Sequence, residues 1–198
     1  MDTPTAPIRP PEIGPEGQIL GPLQIQNLWH GRPGTAKEVA YVHLRGRPDH
    51  LEVTVDATFH EDPAPDAPPG SFPGLWEFEV VELFIGGADG SYLEVELGPR
   101  GHHLVLRLSG VRQIAEQGLP LDYRTAITSD LWTGVARIPR SLLPPGPHTL
   151  NLTAIHGQHR KPGQRRPGGG RRYLSWAPLR GEVPDFHQPD RWIPVQLP

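Results

Sequence analysis

The chain contains no cysteine, which excludes disulfides, thiolate metal sites and a cysteine nucleophile together. A long apolar run is also missing. No segment approaches the roughly 18 consecutive apolar residues of a membrane-spanning helix, so no membrane association is expected. The charge has no dominant sign: 19 Lys and Arg stand against 22 Asp and Glu. That balance gives no global attraction for nucleic acid or an acidic lipid surface. The first residues, "MDTPTAPIRPPEIGPEG", have neither the basic region nor the apolar stretch of a secretory signal. With the absent thiols, this sets the expectation of a cytoplasmic protein that needs no oxidising compartment. No stretch carries a helical apolar stripe of ordinary length. "PRSLLPPG" offers one short helical turn at most.

What the chain has in abundance is proline (26) and glycine (23), which favour many short elements separated by turns over long helices. Residues 1–17 are Pro- and Gly-rich with few apolar side chains and read as a flexible arm. Residues 18–198 then read as one domain, a size that supports its own core. Short apolar-rich runs follow one another: "LQIQNLWH", "VAYVHLR", "LEVTVDATFH", "EFEVVELFIG", "SYLEVELG", "HHLVLRLSGVRQI" and others to "RWIPVQL". The clearest sets Leu51, Val53, Val55, Ala57 and Phe59 against Glu52, Thr54, Asp56, Thr58 and His60. This period of two predicts a strand with one dry and one wet face. Leu93, Val95 and Leu97 against Tyr92, Glu94 and Glu96 repeat it. "GGADG" between two runs predicts a hairpin turn. About ten strands at short spacing predict an all-β fold, a single antiparallel β-sandwich of jelly-roll or immunoglobulin-like type.

The stretch "LWEFEVVELFI", Leu75 to Ile85, poses the chemical question. In extended alternation Trp76, Phe78, Val80, Glu82 and Phe84 share a face. A carboxylate in an apolar row needs a partner, a ligand or water, unless a bulge near Val80 and Val81 turns it to the other face.

"LWEFEVVELFIGGADGSYLEVELGPRGHHLVL" resembles the Trp-Glu motif strand, Tyr-x-Glu-hydrophobic-Glu strand and Pro-x-Gly turn of carbohydrate-binding module family 9-like domains, part of the wider DOMON-like sandwiches. "LEVTVDATF", "YLSWAP" and "DFHQPDRWIPVQL" resemble further segments of that family in the same order, over roughly Leu51 to Leu197. The stand-alone length is similar to that of its small uncharacterised members. The resemblance implies a sandwich that binds a terminal sugar between two aromatic rings. Trp76 matches the first ring, and Phe186 stands where the family often has Trp. Glu82 matches the carboxylate that accepts bonds from sugar hydroxyls, with Glu96 and Asn151 nearby on paired strands. His156, at the end of "LNLTAIH", and His187, beside Phe186, join them as rim candidates. The expected ligand-binding set is therefore Trp76, Glu82, Glu96, Asn151, His156, Phe186 and His187. The expected partner is a small molecule or oligosaccharide, bound without catalysis, cofactor or metal.

Other readings stay open beside this one. Trp76 can instead cap the core, and Phe186 can belong to a clasp of the tail onto the sheets. Glu82, Glu94 and Glu96 form a carboxylate group across the predicted hairpin. Such a group can serve glycoside hydrolysis, hold calcium, or simply pair with Arg100, Arg107 or Arg112. The ten histidines show no converging zinc set, since His102 and His103 fall on opposite faces and His159 lies in a loop. The basic loop Gly157 to Arg172 is the one concentrated charge and a docking element for a possible protein partner. It lacks the aromatic interleaving expected for nucleic acid. Serines 91, 109, 129 and 141 show no nucleophile-elbow pattern.

Overall fold

The architecture is given by a computed structural model that describes residues 19–157 and 170–198. The proposed arm and most of the basic loop, including Arg160, Lys161, Arg165 and Arg166, lie outside the described residues. The strands, in chain order, are β1 (Ile19–Ile25), β2 (Ala40–Gly46), β3 (His50–Thr58), β4 (Gly70–Ser71), β5 (Val80–Gly86), β6 (Tyr92–Leu97), β7 (His102–Gly110), β8 (Gln113–Gln117), β9 (Asp122–Thr128), β10 (Leu131–Pro139), β11 (His148–His156), β12 (Arg172–Ser175) and β13 (Ile193–Val195). Among the described residues there are only three single 3₁₀ turns and no α-helix, and no helix is long and apolar enough to cross a membrane. The sequence "PRSLLPPG" supplies one of these turns, Arg140–Leu142.

The strands form two sheets. The smaller runs β1-β2-β3-β10-β9 and the larger β12-β11-β5-β6-β7-β4, with β13 added to β11 and β8 to β7. All pairings are antiparallel except the two-residue contact of β4 with β7. The chain is thus the expected antiparallel β-sandwich. Between the sheets lies one apolar layer. β3 contributes Leu51, Val53 and Val55, β5 contributes Val81, Leu83 and Ile85, and β6 contributes Leu93, Val95 and Leu97. Trp132 and Ile138 of β10 close it from the smaller sheet. The period-two reading of these strands holds because only alternate side chains can reach that layer.

The other faces of the two sheets differ. On β3 the alternate residues are only half-buried, as a wet face should be. On β5 and β6 every residue is buried. The row Tyr92, Glu94 and Glu96, which alternation alone assigns to solvent, is covered. The cover is a second apolar cluster built on the outer face of the larger sheet from Val80, Phe84, Tyr92, Leu104, Leu106 and Leu108. Leu75, Leu179, Phe186 and Trp192 press down on it from segments outside the sheet. Trp192 is the keystone, with its ring 5.5 Å from Phe84 and 5.1 Å from Tyr92. Its indole N–H donates to the Phe186 carbonyl at 3.2 Å.

The hairpin at "GGADG" fixes register. Gly86 faces Tyr92, Phe84 faces Glu94 and Glu82 faces Glu96. No bulge interrupts β5 against β6, so Glu82 keeps its place in the outer row. The strand itself is shorter than the sequence reading had it. Pro73 and Gly74 precede a 3₁₀ turn at Leu75–Glu77, and the φ of 82° at Gly74 is one that glycine alone adopts readily. Trp76 therefore sits in a turn above the sheet and not on the strand with Glu82.

Trp132 tests the inner layer. Trp132→Ala removes a fully enclosed indole, a loss of about 3–5 kcal/mol. Thermal denaturation followed by circular dichroism is expected to show a melting point lower by about 10 °C. An unchanged melting point would contradict this account of the core.

Candidate functional site

A cleft of about 390 Å³ opens on the outer face of the larger sheet. Its floor is Glu82 and Phe84 of β5, Glu94 of β6, and Leu106 and Leu108 of β7. Trp76 and Tyr173 form part of one wall, and Asp185, Phe186, His187 and Arg112 part of the other. The size lies within the range of small-molecule sites, as does the mix of rings with a few polar groups.

Each wall is held by specific contacts. The Arg171 guanidinium lies over the Tyr173 ring, 5.5 Å from its centroid. It also donates to the Glu77 carboxylate at 2.8 Å and to the Trp76 carbonyl. This ties the 3₁₀ turn to β12 and leaves the Trp76 ring 40% exposed at the mouth. On the far side, Arg112 donates to Asp185 at 2.8 Å. The Tyr92 hydroxyl accepts the Arg112 backbone N–H at 3.1 Å and meets His187 Nδ1 at 2.7 Å. A hydroxyl that already accepts one bond is free to donate its proton to Nδ1, which leaves Nε2–H as the donor of a neutral His187. Burial, then the Arg112 charge, push the imidazole down to about 4, so the ring is neutral at physiological pH.

The floor carries the unusual electrostatics. Glu82, Glu94 and Glu96 each place one carboxyl oxygen within 4.8 Å of the other two. All three are buried. Thr153, opposite Glu82 on β11, donates its hydroxyl to Glu82 at 2.5 Å. Among the described residues Oε2 of Glu94 has no hydrogen-bond partner and neither oxygen of Glu96 has one of good geometry, although the Trp76 backbone N–H is close enough to pull the Glu96 carboxyl down. Burial pushes the Glu82 carboxyl up to about 7, against the pull of the Thr153 hydrogen bond and the Arg171 charge. Burial, then the negative charge of Glu82, drive Glu94 and Glu96 well above the usual carboxylate range. These are the groups among the described residues that can offer three converging oxygen ligands to an ion.

Of the residues expected to bind ligand, Trp76, Glu82, Phe186 and His187 line this cleft. Phe186 is a wall residue, not a free ring. It is 8% exposed and makes edge contacts with Phe84 at 6.3 Å and Tyr173 at 6.2 Å. Glu96 belongs to the carboxylate group but stands behind the lining. Asn151 and His156 are elsewhere. Asn151 lies within the sheet edge, where its side-chain oxygen accepts the backbone N–H groups of Leu152 and Ala177 and its amide donates to Ser175. It fastens the strand-to-coil exit after β12. His156 stacks on His60, with ring centroids 3.6 Å apart and planes 5° from parallel. Its Nε2 lies 3.2 Å from Glu38. Burial pushes Glu38 up, but the Arg172 guanidinium and the Thr35 N–H outweigh it and hold the carboxyl down at about 2. The end of β11 that carries His156 therefore faces a separate charged cluster.

Sequence reasoning missed Tyr173, Arg112 and Asp185 as cleft residues. Arg112 has a weak signal: it follows "SGV" inside a long apolar run, where a turn with φ of 59° splits β7 from β8. Tyr173 and Asp185 give none, since their role depends on a tail that returns across the sheet.

No family model matches the chain. It is 39% identical over 173 residues to the UPF0462 protein C4orf33 homolog of Danio rerio, covering 83% of each chain. It is 37% identical over 174 residues to the Homo sapiens UPF0462 protein C4orf33, covering 83% of this chain and 82% of that one. The chain belongs to the UPF0462 family. Among solved structures, a presumptive carbohydrate-binding protein from Bacteroides uniformis superimposes with a TM-score of 0.68 at 16% identity, over 92% of this chain and 87% of that one. A carbohydrate binding module family 9 from Caldicellulosiruptor kristjanssonii, in complex with cellotriose, gives 0.56 at 12% identity over 87% and 80%. At these identities the UPF0462 chain shares their fold, and the fold alone does not carry their ligands over.

Two predictions follow from the site's packing. Asn151→Ala orphans two buried N–H groups at roughly 1–3 kcal/mol each, so the melting temperature falls without any ligand present; an unshifted melt would show that the amide is dispensable. Glu82 gives a pH dependence. Its folded pKa of about 7 stands above the ordinary 4.5, so the folded state keeps a proton that the unfolded chain releases. That contribution to stability is complete below about pH 4.5 and is lost as pH rises through about 7. Glu94, Glu96, Thr153 and Arg171 face the group and stay in place in Glu82→Gln, whose amide oxygen still accepts from Thr153. The variant is expected to melt like the parent at pH 4.5 and several degrees higher at pH 8. A constant difference between the two pH values would refute the assignment.

Proposed function

We propose that the cleft binds a carbohydrate or a similar polyhydroxylated small molecule, without turning it over. One observation carries this reading: a 40%-exposed Trp76 ring stands at the mouth of a preformed cleft whose floor holds carboxyl groups. A sugar ring offers C–H faces that pack on an indole and hydroxyls that bond to carboxyl oxygens. Tyr173 extends the apolar surface beside Trp76, and Phe186 supplies it on the opposite wall. His187 Nε2–H and the Arg112 guanidinium supply donors, and Glu82 and Glu94 supply acceptors. The likeness in fold to a family 9 module that holds cellotriose supports the same class of ligand.

The carboxylates favour binding over hydrolysis. A glycosidase separates its two acids, one held protonated and the other ionised. Here burial pushes all three in the same direction, and among the described residues no basic side chain bonds to any of them to hold one ionised.

Titration of the protein with mono- and oligosaccharides, cellotriose among them, followed by tryptophan fluorescence, tests the reading. A saturable change is expected with at least one sugar. Trp76→Ala should weaken it tenfold or more, in line with the loss of a stacked ring. Because the ring is exposed, the same variant should keep its melting temperature within a few degrees. A flat response across the panel would overturn the proposal.

A further inference from the structure

Among the described residues, no basic side chain bonds to the carboxyl groups of the floor. Glu82 and Glu96 are direct cross-strand neighbours, and Glu94 stands two residues along on the same face. Like charges placed opposite each other on a sheet destabilise it, and three buried together cost more. The nearby basic side chains are committed elsewhere: Arg112 to Asp185, Arg171 to Glu77 and Arg107 to Glu116. Among the described residues one oxygen of the cleft-lining Glu94 is unpartnered, and the fully enclosed Glu96 has no hydrogen bond of good geometry, only the pull of the Trp76 backbone N–H. Buried polar atoms of this kind are rare in native proteins unless a ligand or water completes them.

We infer that the ligand of this cleft carries an ammonium group, seated against Glu82 and Glu94 with the Glu96 carboxyl close behind them, so that its class is an amine-bearing polyhydroxylated molecule such as an amino sugar. The inference rests on the carbohydrate reading of the cleft and goes beyond it by fixing the ligand's charge. Geometry supports it. Charge-assisted N–H···O bonds of 2.7–2.9 Å along two tetrahedral directions place their acceptors, here Glu82 and Glu94, about 4.4–4.7 Å apart. The three oxygens lie within 4.8 Å of one another. The walls agree, because the faces of Trp76, Tyr173 and Phe186 attract a cation as well as an apolar ring.

A bare divalent ion fits the spacing but not the surroundings. Calcium takes 6–8 oxygen ligands. Beyond the carboxyls and the Thr153 hydroxyl, the neighbours on this face are Phe84, Leu104, Leu106 and Ile155. An organic cation brings its own apolar body to such walls, whereas a bare metal ion leaves them uncovered.

Isothermal titration at pH 6.5, with the trimer of β-1,4-linked glucosamine, its fully N-acetylated form, cellotriose and calcium chloride alone, decides the matter. The glucosamine trimer, protonated at this pH, is expected to bind at least tenfold more tightly than the other two sugars. Glu94→Gln and Glu96→Gln should each erase that preference. Both are near-isosteric, and melting curves that match or exceed the parent's show that they fold. Equal binding of cellotriose and the amine would overturn the charge assignment while leaving the carbohydrate reading intact. Heat from calcium chloride with silence from the amine would overturn it in favour of a metal site. No heat from any sugar would overturn the carbohydrate reading, and this inference with it.

Discussion

The structure turns on a row of carboxyl groups closed in on a sheet face that ought to be wet. Enclosing Glu82, Glu94 and Glu96 costs free energy that water would have supplied. Part of the cost is offset by the apolar cluster packed around them. Phe84, Leu106 and Ile155 surround the carboxyls, and the tail adds Phe186 and Trp192. Each fully buried side chain of this kind contributes roughly 1.5–3 kcal/mol. The larger sheet is therefore buried on both faces, which is unusual for an antiparallel sheet.

The second layer is what turns this burial into a site. It is coil, not sheet or helix, so its position comes from side-chain anchors. Trp192 locks between Phe84 and Tyr92, His187 docks on the Tyr92 hydroxyl, and Asp185 meets Arg112. Tyr92 takes part in most of these contacts. It belongs to the same alternate row as the carboxyls, so one strand sets both the floor and the height of the wall. Opposite, Arg171 holds the Trp76 turn by a carbonyl, a carboxylate and a ring face. Both walls thus rest on short, specific contacts to the sheet. A ligand would meet a preformed cleft and lose little to ordering it.

Much of this was legible in the residues themselves. Period two in "LEVTVDAT" and "YLEVEL", with glycine at the turn, gives strands, their inner faces and the β5–β6 register, because hairpin geometry fixes register locally. From that register the grouping of Glu82 with Glu94 and Glu96 follows directly. What alternation cannot report is whether the outer face is covered. The cover comes from residues 176–192, about a hundred positions away and without periodicity, so the Glu94 row reads as wet when it is dry. The same limit explains Asn151 and His156. Both sit on β11 beside the expected floor, but which end of a strand meets the tail is a tertiary fact. Asn151 became a backbone clamp, and His156 joined Glu38 at the other end.

The two polar clusters of the larger sheet make a useful contrast. At the His156 end, Glu38 is also enclosed, yet Arg172 reaches it with two guanidinium bonds at 2.5 and 3.0 Å, and its carboxyl is held down at about 2. That is a buried acid with its counter-ion supplied by the chain, the arrangement expected of a structural ion pair. On the floor of the cleft the described residues supply none. Arg171 comes near enough to pull on Glu82 but spends its hydrogen bonds on Glu77 and Trp76. The same fold therefore neutralises one buried acid internally and leaves Glu82 and Glu94 on the floor of a 390 Å³ cleft, with Glu96 directly behind them. A sequence able to place Arg172 against Glu38 can place a base against Glu94 as well. That no described base does so, where the wall is open and the other walls are rings, is the argument that these carboxyls are completed by a ligand.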